Sequence, residues 1–470
     1  MKTALRLLLF VLCALALPAW GGDGPADPRT LRFKPLTFNI PKAERVQLAN
    51  GTPVYLLQDR ELPIVTVSAM IRTGSVYDLP GKSGLAALSG SQLRGGGTTA
   101  LEPRHLDDEL EFMASSIESA FGSDSGAVTL TSLTKNLPRS LELFSDVLFR
   151  PRFDEKRFEV ARRGALEAVR RQNDDPKELA DRVLTQVIYA GHPLGVVPTA
   201  ASLQAITRAD LIAFQRRFVR PDNLIITVAG DFDRAAILVL LNRLIGARTP
   251  DSPLNLPQPP PVPLTHRPEV YFAAKQVNQT VIRMGHLGID KNSPDLYAVR
   301  VLDYILGGSF TSRLMLEIRT NQGLAYNVGS RFEVGRRFTG TFTAETETRA
   351  NATVRTIDLM TALIDGIRKE AVSEQELQLA KDAIINSFLF GFTTPASIVM
   401  QQARLELYGY APDYLERYRD RIAAVSREDL LQAARRQLHP KAFKLVVVGD
   451  AALFDQPLTR YGAVTTVPQR

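Results

Sequence analysis

The sequence predicts an α+β protein made of two like domains, each a mixed, mostly antiparallel sheet covered by helices. Three observations support that class. Strand-like alternation and helix-like periods are interspersed along the 470 residues. The two halves end alike: "TRADLIAFQRRFVRPDNLIITVAGDFD" and "SREDLLQAARRQLHPKAFKLVVVGDAAL" each pass from a helix through a proline to a β-branched strand and Gly-Asp. Finally, residues 248–268 hold eight prolines and separate stretches of roughly two hundred residues, each of domain size. Two copies of one domain is the simplest account.

The elements follow in order. Lys2 and Arg6 precede the apolar run "LLLFVLCALALPAW", which reads as a secretory leader over residues 1–23, too short for a membrane span. The chain is therefore expected to be periplasmic or secreted. Its only cysteine, Cys13, lies inside the leader, and Leu12 before it argues against lipidation. The mature chain thus has no thiol, which excludes disulfides, thiolate ligands and cysteine nucleophiles. The net charge is +7, and its basic residues are interleaved with acids in segments such as "KRFEVARRGALEAVRRQ". That pattern is a solvated helix face, not a nucleic-acid surface.

The first domain is expected over residues 36–247. In it "TPVYLLQD" and "PIVTVSAMIRTGS" read as strands of an antiparallel pair. Helices follow near residues 84–94, 104–116 and 154–173, with a strand at "GAVTLTSLT". Thr207 with Asp210, and Ser426 with Asp429, have capping-box spacing at the starts of the two matching helices. The prolines of 248–268 impose extended backbone, so this segment is a semi-rigid linker to the second domain, 269–460.

The chemistry centres on "RTGSVYDLPGKSGLAALSGSQLRGGGTT". Ala87, Gly90 and Ser91 fall at i, i+3 and i+4 and share a helix face. Read alone, small residues there make a close-packed helix contact. A His-x-x-Glu-His motif at that spacing would bind zinc and polarise water. The surrounding residues resemble the M16 (insulinase, pitrilysin and mitochondrial processing peptidase) metallopeptidases, from about Leu36 to the C-terminus. That resemblance implies that Ala87 and Ser91 stand where the family has its zinc histidines and Gly90 where it has the general base. The family's third ligand, a glutamate, falls at Ala168 in "RRGALEAVRRQNDDP", with Glu167 one residue out of phase. Four replacements together imply that this chain does not hydrolyse peptides by zinc.

No other residues rebuild a site. His105, His192, His266, His286 and His439 are far apart in sequence and read as surface or capping histidines. Ser89 and Ser91 form no Gly-x-Ser-x-Gly elbow. The acids of "HLDDELEF" and "AETETR" read as solvated faces, although a self-sufficient site of unfamiliar type would have to use them.

The second half retains "YILGGSFTSRLMLEIRTNQGLAYNVGSRF". Gly307-Gly308 is not a phosphate loop, because no Gly-Lys-Ser/Thr follows. The whole stretch is similar to the family's second domain. There an arginine and a tyrosine seven residues apart bind the substrate backbone and steady the tetrahedral intermediate, and Arg319 and Tyr326 have that spacing. Taken by themselves, they would be a surface helix residue and an ordinary strand aromatic. The resemblance implies a half-enzyme: one clamshell half, with no cofactor of its own, supplying Arg319, Tyr326, Gly307 and Gly308 to a short or unfolded peptide. Zinc would belong to a catalytic M16 partner carrying His-x-x-Glu-His. The alternative is a periplasmic peptide-binding or scaffold protein with no hydrolytic role.

Overall fold

A computed structural model describes residues 40–265 and 267–468. The leader, Cys13 and His266 lie outside them. The described residues form one compact unit with two six-stranded sheets. The first contains β1 (Glu44–Gln47), β2 (Pro53–Gln58), β3 (Ile64–Ile71), β4 (Ser116–Phe121), β5 (Gly126–Leu133) and β6 (Leu224–Gly230), in the order β1-β2-β6-β3-β5-β4. The second contains β7 (Glu269–Ala274), β8 (Gln279–Leu287), β9 (Ala325–Glu333), β10 (Thr341–Arg349), β11 (Lys444–Gly449) and β12 (Val464–Thr466), in the order β12-β7-β11-β8-β10-β9.

Setting aside the outermost β1 and β12, the two sheets have one topology. In each, the first strand runs parallel to the last, and the other pairs are antiparallel. The expected pairing of "TPVYLLQD" with "PIVTVSAMIRTGS" does not form. β2 and β3 are not neighbours, because β6, about 150 residues later in the chain, lies between them. Local alternation identifies strands but carries no information about so distant a partner.

Each sheet buries one face under helices of its own half. Leu106, Leu141, Phe144 and Phe218 pack there on the first sheet, and Leu302, Ile357, Met360 and Leu430 on the second. Both expected capping boxes are present: Thr207 and Ser426 accept from the backbone N–H of Asp210 and Asp429, whose carboxylates accept in return.

The opposite faces are covered by exchange. The helix Pro176–Ile188 of the first half lays Leu179, Ala180, Val183 and Leu184 on Ala273, Val281, Val446 and Val448 of the second sheet. The helix Pro395–Leu407 of the second half lays Val399, Ala403 and Leu407 on Tyr55, Met70 and Ile225 of the first. Both start with proline in the first turn, after Asp175 or Thr394 as cap.

Each exchanged helix is also pinned by charge. Arg283 of β8, almost fully buried, meets Asp181 at 2.6 Å and Glu347 at 3.2 Å. Arg45 of β1 grips Glu406 with two nitrogens at 2.7 and 2.9 Å, which holds that carboxyl below the usual range. The proline-rich segment is likewise packed: Val262 joins the core under Pro176–Ile188, and the Pro260 carbonyl lies 2.9 Å from Nε2 of His192.

Candidate functional site

The helix Leu85–Gly95 begins at Gly84, whose φ of +100° suits glycine, and has no cap of its own. Asp78 supplies one from the preceding turn, accepting from the N–H of Gly84 at 2.8 Å and of Ala86 at 2.7 Å. Burial pushes the Asp78 carboxyl up to about 6, against those hydrogen bonds.

Ala87 and Ser91 are exposed, and the Ser91 hydroxyl donates to the carbonyl of Leu88 in its own helix. Gly90 is buried against β4. A Cβ on it would stand 2.4 Å from the Phe121 nitrogen and 3.0 Å from the Ala120 carbonyl carbon. The Ser119 hydroxyl closes the same seam by donating to the Gly90 carbonyl at 2.6 Å. A glutamate at position 90 therefore has no room unless helix and strand separate.

Ala168 is exposed on the helix Glu155–Arg171, which packs on Leu85–Gly95. Glu167 is occupied by Arg171 at 2.6 Å. A methyl, a glycine that admits no side chain, a self-bonded hydroxyl and a second methyl do not fit a zinc ion. Among the described residues, no three His, Cys, Asp or Glu side chains could hold a metal ion together.

The histidines do not all behave as expected. His105 is exposed, and His192 caps a turn by accepting from the Leu194 N–H. His286 and His439, distant in sequence, meet with ring centres 5.1 Å apart, and His286 is buried against Phe443. His286 Nε2 accepts from the His439 backbone, and Nδ1 faces the Leu287 carbonyl at 2.7 Å, so both its ring nitrogens serve the fold.

Arg319 and Tyr326 are brought together. Arg319 lies in a short helix whose stretch Met315–Asn321 is wound as π-helix, a geometry frequent at functional sites. Tyr326 lies on β9, the outer strand, where the pairing with β10 slips between Thr346 and Thr348. The Arg319 guanidinium carbon stands 4.7 Å from the centre of the Tyr326 ring, and Tyr326 is 83% exposed. Arg319 makes no ion pair among the described residues; its other contact is the Met315 sulfur. Among the described residues, neither side chain hydrogen-bonds to the Ala87 or Ala168 helices.

Gly307 and Gly308 end the helix Leu296–Leu306 beside the same strand. Gly307 lies so close to β9 that a Cβ would stand 2.2 Å from the Ser330 nitrogen. Asp303 fastens this junction: its carbonyl accepts from both glycine N–H groups, and its carboxylate accepts from the Phe332 N–H at 2.8 Å. A cavity of about 640 Å³ opens here, bounded by residues 307–310, one face of β9 and β10, and the end of Pro176–Ile188. A smaller one, about 220 Å³, lies beside Tyr326.

The relatives share this architecture. The model described as "Insulinase (Peptidase family M16)" matches residues 54–197, and "Peptidase M16 inactive domain" matches 205–384. The chain belongs to the M16 peptidase family. It is 21% identical over 410 residues to the uncharacterized zinc protease YmxG of Bacillus subtilis, covering 87% of this chain and 98% of that one. The crystal structure of an M16 inactive domain from Pseudomonas fluorescens superposes with a TM-score of 0.79 and 25% identity, over 88% of this chain and 100% of that one. The periplasmic protease PqqL from Escherichia coli shares the fold at a TM-score of 0.74 and 16% identity, over 96% of this M16 chain and 51% of PqqL.

Two sets of acids belong to the site region, and the sequence sets only one of them apart. Asp303 was legible in principle, as an acid inside the otherwise apolar "LYAVRVLDYILGG". The "AETETR" acids have the pattern of a solvated face, yet Glu345 and Glu347 flank buried Arg283.

Proposed function

We propose that this chain is the zinc-free subunit of an exported two-chain M16 peptidase. It supplies Arg319 and Tyr326, with the Gly307–Gly308 segment, to a peptide whose scissile bond lies at the zinc site of a partner carrying His-x-x-Glu-His. The observation that carries this reading is the pairing of Arg319 with exposed Tyr326, with no acid neutralising the arginine among the described residues. A scaffold has no chemical use for it. A fixed cation beside a phenol suits a carbonyl oxygen that gains charge, where one such donor is worth about 10²–10³ in rate. The blank first-half helix is consistent with zinc lying elsewhere, and the fold's match to half of PqqL suits a pair of such chains.

The first experiment is capture of the tagged chain from its native envelope extract, with mass spectrometry of what accompanies it. Recovery of an M16 chain with His-x-x-Glu-His supports the proposal. Recovery of the chain alone, or with unrelated envelope proteins, favours a binding or scaffold role. In the reconstituted pair, Arg319→Ala and Tyr326→Phe should each slow turnover while leaving assembly intact. Unchanged turnover in both would remove the catalytic role.

A further inference from the structure

We infer that His192 is an acid-sensitive clasp: when neutral it fastens the proline-rich connector to the end of an exchanged helix, and when protonated it releases it. Neither a peptide nor a partner is needed for this. Six of the residues 253–265 are prolines, which have no N–H to donate. Among the described residues this stretch makes one hydrogen bond, in which the Pro260 carbonyl accepts from Nε2 of His192 at 2.9 Å. Its other hold is apolar, through buried Val262 and partly buried Leu256.

The partners fix the state of the ring. A carbonyl only accepts, so Nε2 carries the proton; the Leu194 N–H only donates, and Nδ1 accepts it at 3.1 Å. A proton on Nδ1 would set N–H against N–H. It would also place a cation in a slot 1% exposed, walled by the rings of Phe338 at 5.0 Å and Tyr189 at 6.3 Å. The titratable and charged groups around it supply no counter-ion. They are Tyr189 at its own helix end, with Glu333 near that phenol; Tyr77 in the turn packed on residues 193–195; and Arg337, beside Phe338, which donates to the Tyr77 hydroxyl at 2.7 Å. Burial accordingly holds the imidazole below its usual range. The released ring binds protons more tightly than the clasped one, so the clasp is shut at neutral pH and opens as pH falls below about 6.5. The other exchanged helix lacks the device. Tyr189 donates to the Thr339 carbonyl at 3.0 Å and Tyr408 to Asp124 at 2.9 Å, each just past its helix. The first tyrosine opens "YAGHP" and the second "YGYAP", so Ala411 stands where His192 does.

The test uses the whole chain with Cys13→Ser and one new thiol, Leu264→Cys, at a position 71% exposed, carrying a spin label. The ratio of mobile to immobile label should rise about 10-fold between pH 7 and pH 5. A label at Ala411→Cys should not respond. His192→Gln, which keeps a donor for Pro260 but does not titrate, should abolish the rise at 264. Burial of Asp78 and Asp303 favours the fold in acid, so label mobility and not the melting curve isolates the clasp. Nitrogen NMR shifts of His192 in the unsubstituted chain give a readout that needs no variant. The ring should be the Nε2–H tautomer at pH 7 and take up its second proton over the range in which the label at 264 is freed. No rise at 264, an equal rise at 411, the same rise in His192→Gln, or a ring that stays neutral while the label is freed would overturn the clasp.

Discussion

The two halves place a helix against the outer strand of a sheet in the same topological position and reach opposite results. In the first, Gly90 in mid-helix lets Leu85–Gly95 press directly onto Phe121 of β4. In the second, the glycine comes one residue after the helix Leu296–Leu306, at Gly307, and the chain turns away over β9 above a cavity. One close approach of backbone to strand therefore seals a seam or frames a pocket, depending on where along the helix it falls. The frame accommodates either outcome because the exchanged helices hold both sheets from their opposite faces.

The strongest way to break this comparison is to rebuild the lost site. Gly90→Glu must drive the helix off β4 and should cost about 3 kcal/mol or more, read from denaturant unfolding. Ala87→His and Ser91→His, both exposed, should cost within about 0.5 kcal/mol each. The triple variant should not bind equimolar zinc, because Ala168 still leaves the metal a ligand short. Stoichiometric zinc in that variant would show that another group completes the metal's ligands in place of Ala168.

The exchanged helices give the next largest effect. Leu179→Ala and Leu407→Ala each remove a buried side chain and should cost about 2–4 kcal/mol. Both should lower one common unfolding transition, since each helix covers the other half's sheet. Two separate transitions would mean that the halves are held together by the 248–268 segment alone.

How much of this was legible follows from the range of each signal. Repeated endings, capping boxes and strand alternation are local, so the duplication and most elements could be read directly. The position of β6 between β2 and β3 depends on a contact across about 150 residues, and no local pattern encodes it. The apolar stripe of Leu179, Ala180, Val183 and Leu184 announces a buried face without saying which sheet buries it. Of the site, Arg319 and Tyr326 were legible through a family pattern. The tightness at Gly90 and the fastening of Gly307 to β9 by Asp303 were not, because they are properties of packing.

A subtler contrast concerns acid. Burial raises Asp78 in the first half and Asp303 in the second to about 6. A carboxyl raised in the folded state binds its proton more tightly there than in the unfolded chain. Each therefore makes the fold more stable as pH falls from about 7 towards 5. Arg313 holds Glu376 down to about 2, and Arg436 lowers Asp295, so their stabilisation is lost only in stronger acid. The melting temperature should thus peak on the acid side of neutrality. Asp78→Asn and Asp303→Asn should each flatten the rise, by an amount on the order of 1–2 kcal/mol.

The smallest effect tests the residue that most resembles a surviving ligand. Glu167 sits one position from Ala168, and a shift of one residue in the family match would make it the third zinc ligand. Its carboxylate is instead half-exposed and held by Arg171, and more loosely by Arg170, one turn along the same helix. Surface pairs of that kind contribute about 0.2–1 kcal/mol. Glu167→Gln should accordingly cost less than about 1 kcal/mol and fade further with added salt. It should also leave zinc content unchanged when combined with Ala87→His and Ser91→His. A clear fall in zinc content would instead place Glu167 on the metal and restore part of the site that the first half has otherwise closed.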